Sequence, residues 1–125
     1  MVDFGAWRVA LLRYSEESHP ENDGMLERHT ESDEVFVLLA GKAVMITGGN
    51  GAQVSALSLL VMEKGKIYNV KRNAWHTVVL SKDANVLIVE NQDTSEANSE
   101  YVWVPEELRN EIVAVARREG VLYGR

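Results

Sequence analysis

Apolar residues recur along the chain in short runs that alternate with polar ones and break at glycines, asparagines and charged turns. This rhythm belongs to strands. Ala6 to Tyr14 (AWRVALLRY) predicts a first strand, with a helix as the alternative, and Ser15 to Gly24 (SEESHPENDG) a turn-rich acidic connection. In that connection Pro20 holds His19 extended, as a solvated loop histidine. Glu27 to His29 reads as extended and Thr30 to Asp33 as a turn. From Glu34 a second strand returns antiparallel through the apolar run Val35 to Leu39. Lys42 to Thr47 (KAVMIT) follows as the partner of that run, with Gly48 to Gly51 as a tight hairpin leading into Ala52 to Met62. Further strands are predicted at Ile67 to Val70, Trp75 to Leu80, Asn85 to Glu90 and Tyr101 to Val104.

Only the C-terminal stretch changes period. Pro105 opens a helix running to about Glu119, with Gly120 as its stop. Leu108, Ile112, Val115 and Ala116 form its apolar stripe. Glu106 and Glu107 in the first turn and Arg117 and Arg118 in the last suit the helix dipole. Strands at short, even intervals with no helix between them predict an all-β antiparallel barrel or sandwich carrying one C-terminal helix. We expect one domain over residues 1–125, with the barrel at about 6–104 and the helix at about 105–119.

Composition narrows the function classes. A chain of 125 residues and 14.0 kDa can build one real core. Its 46% hydrophobic and 26% charged residues fit a globular protein. With no cysteine, disulfides, thiolate metal sites and cysteine nucleophiles are excluded, so any metal must take nitrogen and oxygen ligands. The start MVDFGAWRVALLRY lacks the pattern of a leader, and no apolar run reaches membrane-spanning length. The expectation is therefore a cytoplasmic protein with no membrane role. A net charge of −6 disfavours nucleic acid as a partner. The glycines at 48–51 lack the spacing of a phosphate loop.

Candidate chemistry lies in two places. In ERHTESDEVFVLLAG the period of two puts Glu27 and His29 on one face and Arg28 on the other, and the returning strand brings Glu34 back beside them. Taken alone, this stretch reads more simply as a charged hairpin in water. The second place is GKIYNVKRNAWH, residues 65–76, where a glycine turn and a turn at Asn73 precede a histidine on a strand. There His76 shares a face with Val78 and Leu80.

Together these spacings resemble the cupin family. Its first motif has two histidines one residue apart, a glutamate after a short gap and then a glycine. Here Glu27 stands in the first histidine position, His29 in the second, and Glu34 and Gly41 match the rest. In the second motif Gly65 and His76 match, while Lys71 replaces a proline, Asn73 a glycine and Leu80 an asparagine. Asn73 suits the left-handed turn position that the glycine would hold. The resemblance spans roughly Met25 to Glu90 and implies a double-stranded β-helix, or jelly-roll barrel.

That resemblance also implies a divalent ion inside the barrel, held by Glu27, His29, Glu34 and His76. Mn, Fe or Zn would suit such ligands, and a degenerate site would hold none. Isomerase, lyase and dioxygenase activities on sugar-like or small carbonyl compounds are the ones the family implies. The rival readings are a metal-free ligand-binding or sensing domain and a structural or interaction module. Phe36, Tyr68 and Trp75, with Val78, are the candidate lining of a small-molecule pocket, or else simply core. With Glu34 and His76 facing in, Val35, Val37, Leu39 and Val79 face out, leaving a sheet apolar on both sides that needs a cover. The helix, the N-terminal strand or a second subunit must provide it, and the expectation is a homodimer.

Overall fold

A computed structural model describes residues 2–16, 25–91 and 99–121, and these described residues form ten strands and one helix. The strands are β1 (Val2–Phe4), β2 (Trp7–Arg13), β3 (Met25–His29), β4 (Glu34–Ala40), β5 (Ala43–Thr47), β6 (Ser58–Val61), β7 (Ile67–Val70), β8 (His76–Leu80), β9 (Asn85–Asn91) and β10 (Ser99–Trp103), followed by α1 (Glu106–Arg118). They make two five-stranded antiparallel sheets, in the orders β1-β2-β9-β4-β7 and β10-β3-β8-β5-β6. The fold is an antiparallel cupin barrel with a C-terminal helix, as the motif spacing implies. Among the described residues no helix is long and apolar enough to cross a membrane.

Two local pairings differ from the sequence expectation. β3 and β4 are not a hairpin, because β3 lies between β10 and β8 while β4 lies between β9 and β7 in the facing sheet. Likewise β5 pairs with β6 and β8 rather than with β4. In both cases the chain turns a corner from one sheet to the other. At the second corner Gly41 has φ +72°, and a Cβ there would stand 2.6 Å from the Ala84 Cα, so glycine is required by both backbone shape and space. Turn residues mark where a strand stops. They do not say which sheet the next one joins.

Two smaller differences lie at the ends of strands. β1 precedes the first expected strand and pairs with β2. Gly48 to Gly51 belongs to a longer connection, since Thr47 pairs with Ser58. There Gly48 N–H donates to the Trp75 carbonyl (2.8 Å) and Trp75 N–H to that of Gly49 (2.8 Å). The acidic connection with His19 lies mostly outside the described residues, at 17–24.

Each face of the β10-β3-β8-β5-β6 sheet serves a different core. Outward, Leu26, Val44, Ile46, Trp75 and Val79 pack against Ile112, Val113 and Ala116 of α1. Val113 widens the stripe read from the sequence, and Leu108 packs at its edge. Inward, Met45 and Leu80 meet Phe36, Leu38, Val70 and Val86 from the facing sheet. The helix thus covers one sheet of the barrel.

Candidate metal centre

At one end of the barrel the apolar filling gives way to polar side chains. β3 projects Glu27 and His29 inward on its period of two, while Leu26 and Arg28 point out. Glu27 is in register with His76 on the neighbouring β8. Glu34 arrives from the opposite wall as the first residue of β4, so the carboxylate returns by crossing between sheets.

The turn that aims Glu34 is tied down from outside. Asp33 accepts Arg72 N–H (2.7 Å) and the Asn69 side-chain amide (3.1 Å), which hold its carboxyl below the usual carboxylate range. Asn73 N–H donates to the His29 carbonyl (2.9 Å). Asn73 itself has φ 68°, the left-handed position its residue type suits. The segment before His76 is therefore fastened to the segment between His29 and Glu34.

Within the site Glu34 Oε1 lies 2.9 Å from His29 Nε2 and 3.2 Å from His76 Nε2. Glu27 Oε1 is 3.8 Å from His29 Nε2. His29, Glu34 and His76 are buried, whereas the Glu27 side chain remains 40% exposed at the rim. The imidazole rings meet edge to face at 5.3 Å, with Phe36 against His76 at 5.9 Å. They open on a cavity of about 430 Å³ lined by Leu12, Phe36, Val78, Ile88, Ser99 and Tyr101 among others.

The hydrogen bonds of His76 decide what the site asks for. Its Nδ1 lies 2.9 Å from the Ala74 carbonyl, which can only accept, so Nδ1 carries a proton. In the neutral ring Nε2 then presents a lone pair to the Glu34 carboxylate at 3.2 Å, and two acceptors that close repel. The contact is favourable only with a cation between them, either a proton on the imidazole or a metal ion. His29 Nδ1 is similarly held by Ser99 Oγ at 2.8 Å, leaving its Nε2 for the same cation.

Electrostatics agree. Burial alone would raise the Glu34 pKa, but hydrogen bonds from His29 and His76 and their charge outweigh it and push it down to about 2. Burial would lower His29, yet the hydrogen bond and charge of Glu34, with Glu27 and Glu90 further off, raise it above 6.5. The donor set thus fits a divalent ion: two imidazole nitrogens oriented through their other nitrogens, and carboxylates that balance its charge. Ligand atoms of Glu27, His29 and His76 lie within 4.8 Å of one another, as do those of His29, Glu34 and Glu90.

Glu90 was missed by the sequence reading. It extends from β9 into the same cavity, with Arg8 3.4 Å away on β2. Burial and the charge of Glu34 raise its pKa, against His29 and Arg8. The signal was present in the parity of β9, where Val86, Ile88 and Glu90 share one side. It becomes readable only once β9 is known to lie beside β4. Ser99 and Tyr101 of β10 were missed because their stretch lacks an apolar pattern.

Of the expected pocket side chains, Phe36 and Val78 line this cavity and two do not. Trp75 lies in the helix-side core, its Nε1–H donating to the Gly51 carbonyl (3.0 Å) and Arg28 stacked 4.3 Å over its ring. It precedes His76 by one residue, so an inward imidazole requires an outward indole. Tyr68 is level with Phe36 on β7, but its hydroxyl accepts Glu63 N–H (2.8 Å) and its ring lines a separate recess with Met45 and Leu60.

Residues 4–111 match the profile of the ureidoglycolate lyase family. No curated protein sequence matches the chain. Among solved structures, similarity extends to a cupin-2 domain containing protein from Shewanella frigidimarina, with TM-score 0.51 and 15% identity over 73% of this chain and 76% of that one. Oxalate decarboxylase from Bacillus subtilis gives TM-score 0.56 and 16% identity over 94% of this chain, which spans 29% of the decarboxylase. A dTDP sugar isomerase from Desulfovibrio desulfuricans gives TM-score 0.53 and 9% identity, covering 86% and 68% of the two chains. At such identities the three share its fold.

Proposed function

On the premise that the chain belongs to the ureidoglycolate lyase family, we propose that it is a metal-dependent cupin lyase acting on ureidoglycolate or a closely related small hydroxy acid. The observation that carries this reading is the paired approach of His29 Nε2 and His76 Nε2 to Glu34 Oε1, at 2.9 and 3.2 Å, beside a cavity of small-molecule size. His29, His76, Glu34 and Glu27 would hold the ion, with Mn, Fe and Zn all suited to these donors. When bound, a divalent cation supplies Lewis acidity that acidifies a coordinated hydroxyl.

The reaction such a site supports is cleavage of a carbinolamide carbon–nitrogen bond. The hydroxyl O–H bond breaks, the C–O pair becomes a carbonyl, the C–N bond breaks, and the departing ureido nitrogen takes up the proton. Glyoxylate and urea are the products from ureidoglycolate. Glu90 stands where it can take the hydroxyl proton and return it to nitrogen, and its raised pKa makes it a better base than an ordinary surface carboxylate. Ser99 and Tyr101 offer hydroxyls to the ureido group, while Leu12, Phe36, Val78 and Ile88 exclude water.

The test is to load untagged protein with Mn, Fe or Zn and supply ureidoglycolate. Metal-dependent release of glyoxylate and urea in equal amounts is expected, with kcat reduced by roughly 10²-fold or more in Glu90→Gln. Metal bound without turnover would remove the lyase assignment. Turnover independent of metal would remove the ion from the mechanism.

A further inference from the structure

The barrel interior holds a second recess that the metal reading does not use. β6 and β7 are edge strands of different sheets, and between them opens a cavity of about 460 Å³. It lies back to back with the metal cavity. In register, Glu34 pairs with Val70 and Phe36 with Tyr68 across β4 and β7, while His76 pairs with Thr47 and Val78 with Met45 across β8 and β5. In each pair the first residue lines the metal cavity and the second lines the recess. Phe36, Met45 and Val70 are buried in one core cluster, so packed side chains separate the two chambers.

We propose that this recess binds a small organic carboxylate with an apolar body about the size of one ring. Its volume is that of a small-molecule site and not of a packing defect. The floor suits a hydrocarbon. Met45, Leu60, Val70 and Ala74 are apolar, and the Tyr68 ring is fixed beside them by its hydroxyl, which accepts Glu63 N–H at 2.8 Å. The rim supplies the charge. Among the described residues that line the recess Lys71 alone is charged, so an anionic end is favoured over a cationic one. Lys71 Nζ lies 3.9 Å from Asp33 Oδ2, a loose contact, because that carboxyl group already accepts Arg72 N–H at 2.7 Å and the Asn69 amide at 3.1 Å. The Lys71 side chain is 78% exposed and its ammonium has three donors, so it can turn to a ligand carboxylate. Thr47, Asn50 and Asn69 add a hydroxyl and two amides to the same wall.

This inference stands independently of the metal reading. The experiment is calorimetric titration of the full chain with phenylacetate and with its neutral amide, phenylacetamide, in the wild type, Lys71→Gln and Leu60→Trp. Leu60 is half exposed on an edge strand, so an indole there fills the recess without entering the metal cavity. Circular dichroism and metal content check that both variants keep their fold. A dissociation constant for phenylacetate on the order of 1 mM or below is expected in the wild type. It should rise roughly tenfold in Lys71→Gln and for the amide, and binding should be lost in Leu60→Trp. Phenylacetate that fails to bind at about 10 mM, that binds both variants as tightly as the wild type, or that binds no better than its amide would overturn the proposal. Should Leu60→Trp misfold, Lys71→Gln and the amide decide alone.

Discussion

The inner and outer faces of the β10-β3-β8-β5-β6 sheet are built from alternate residues of the same strands, yet they do different work. Outward from β3 and β8, Leu26 and Val79, with Trp75 just ahead of β8, join a core sealed by α1. Inward, Glu27, His29 and His76 meet Glu34 across a cavity that solvent can enter. The outer face is satisfied by packing and by the hydrogen bond of Trp75 Nε1–H to the Gly51 carbonyl. On the inner face a buried carboxylate and two imidazoles are satisfied only when a cation joins them, so the fold carries a polar cost there that packing does not relieve.

If that division is right, the two faces should come apart under mutation. Leu26 is fully buried against α1, and Leu26→Ala should cost about 3 kcal/mol in denaturant unfolding, with metal content per folded molecule unchanged. A loss of metal in proportion to the loss of stability would show that the faces are not separable.

Next in size is a change on the polar side that leaves packing alone. Ser99→Ala removes the Oγ that orients His29 through Nδ1 (2.8 Å), and should weaken Mn binding roughly tenfold in calorimetry, with little change in unfolding free energy. Equal affinity in the variant would mean that Ser99 does not position the ring.

The smallest effect, and the one that sharpens the comparison most, is in pH. His29 is raised above its ordinary 6.5, so its contribution to the stability of the metal-free protein is complete below 6.5 and is lost as pH climbs through the raised value. Glu34, lowered from 4.5 to about 2, contributes above 4.5 and loses that contribution as pH falls toward 2. The metal-free protein should therefore lose melting temperature on the alkaline side of 6.5. Metal must displace the His29 proton, so the stabilisation gained on adding metal should grow over that same range. Thermal melts with and without Mn across this window check the opposite signs; parallel curves would contradict them.

The sequence made the same division partly visible. A period of two is enough to put Glu27 with His29, and His76 with Val78, and motif spacing is enough to bring the two segments into one barrel. It also separates Trp75 from His76, although aromatic character suggested a pocket role for both Trp75 and Tyr68. Sheet membership was hidden. Whether the chain hairpins or crosses at Thr30 to Asp33 and at Gly41 depends on which facing surface is left to cover, and that is settled by contacts far apart in sequence. Glu90 and Ser99 were hidden for the same reason, since each reaches the site only through the neighbour its strand acquires. The apolar outer face of β1-β2-β9-β4-β7 could be anticipated from Val35, Val37 and Leu39, but not which sheet α1 would choose.

His29, His76 and Glu34 converge to hold a cation, and elemental analysis of untagged protein tests this most directly. Near-stoichiometric Mn, Fe or Zn in the wild type, lost in His29→Ala and in His76→Ala while both variants remain folded, is the predicted result. Absence of metal after incubation with all three ions, or metal retained in both variants, would contradict it.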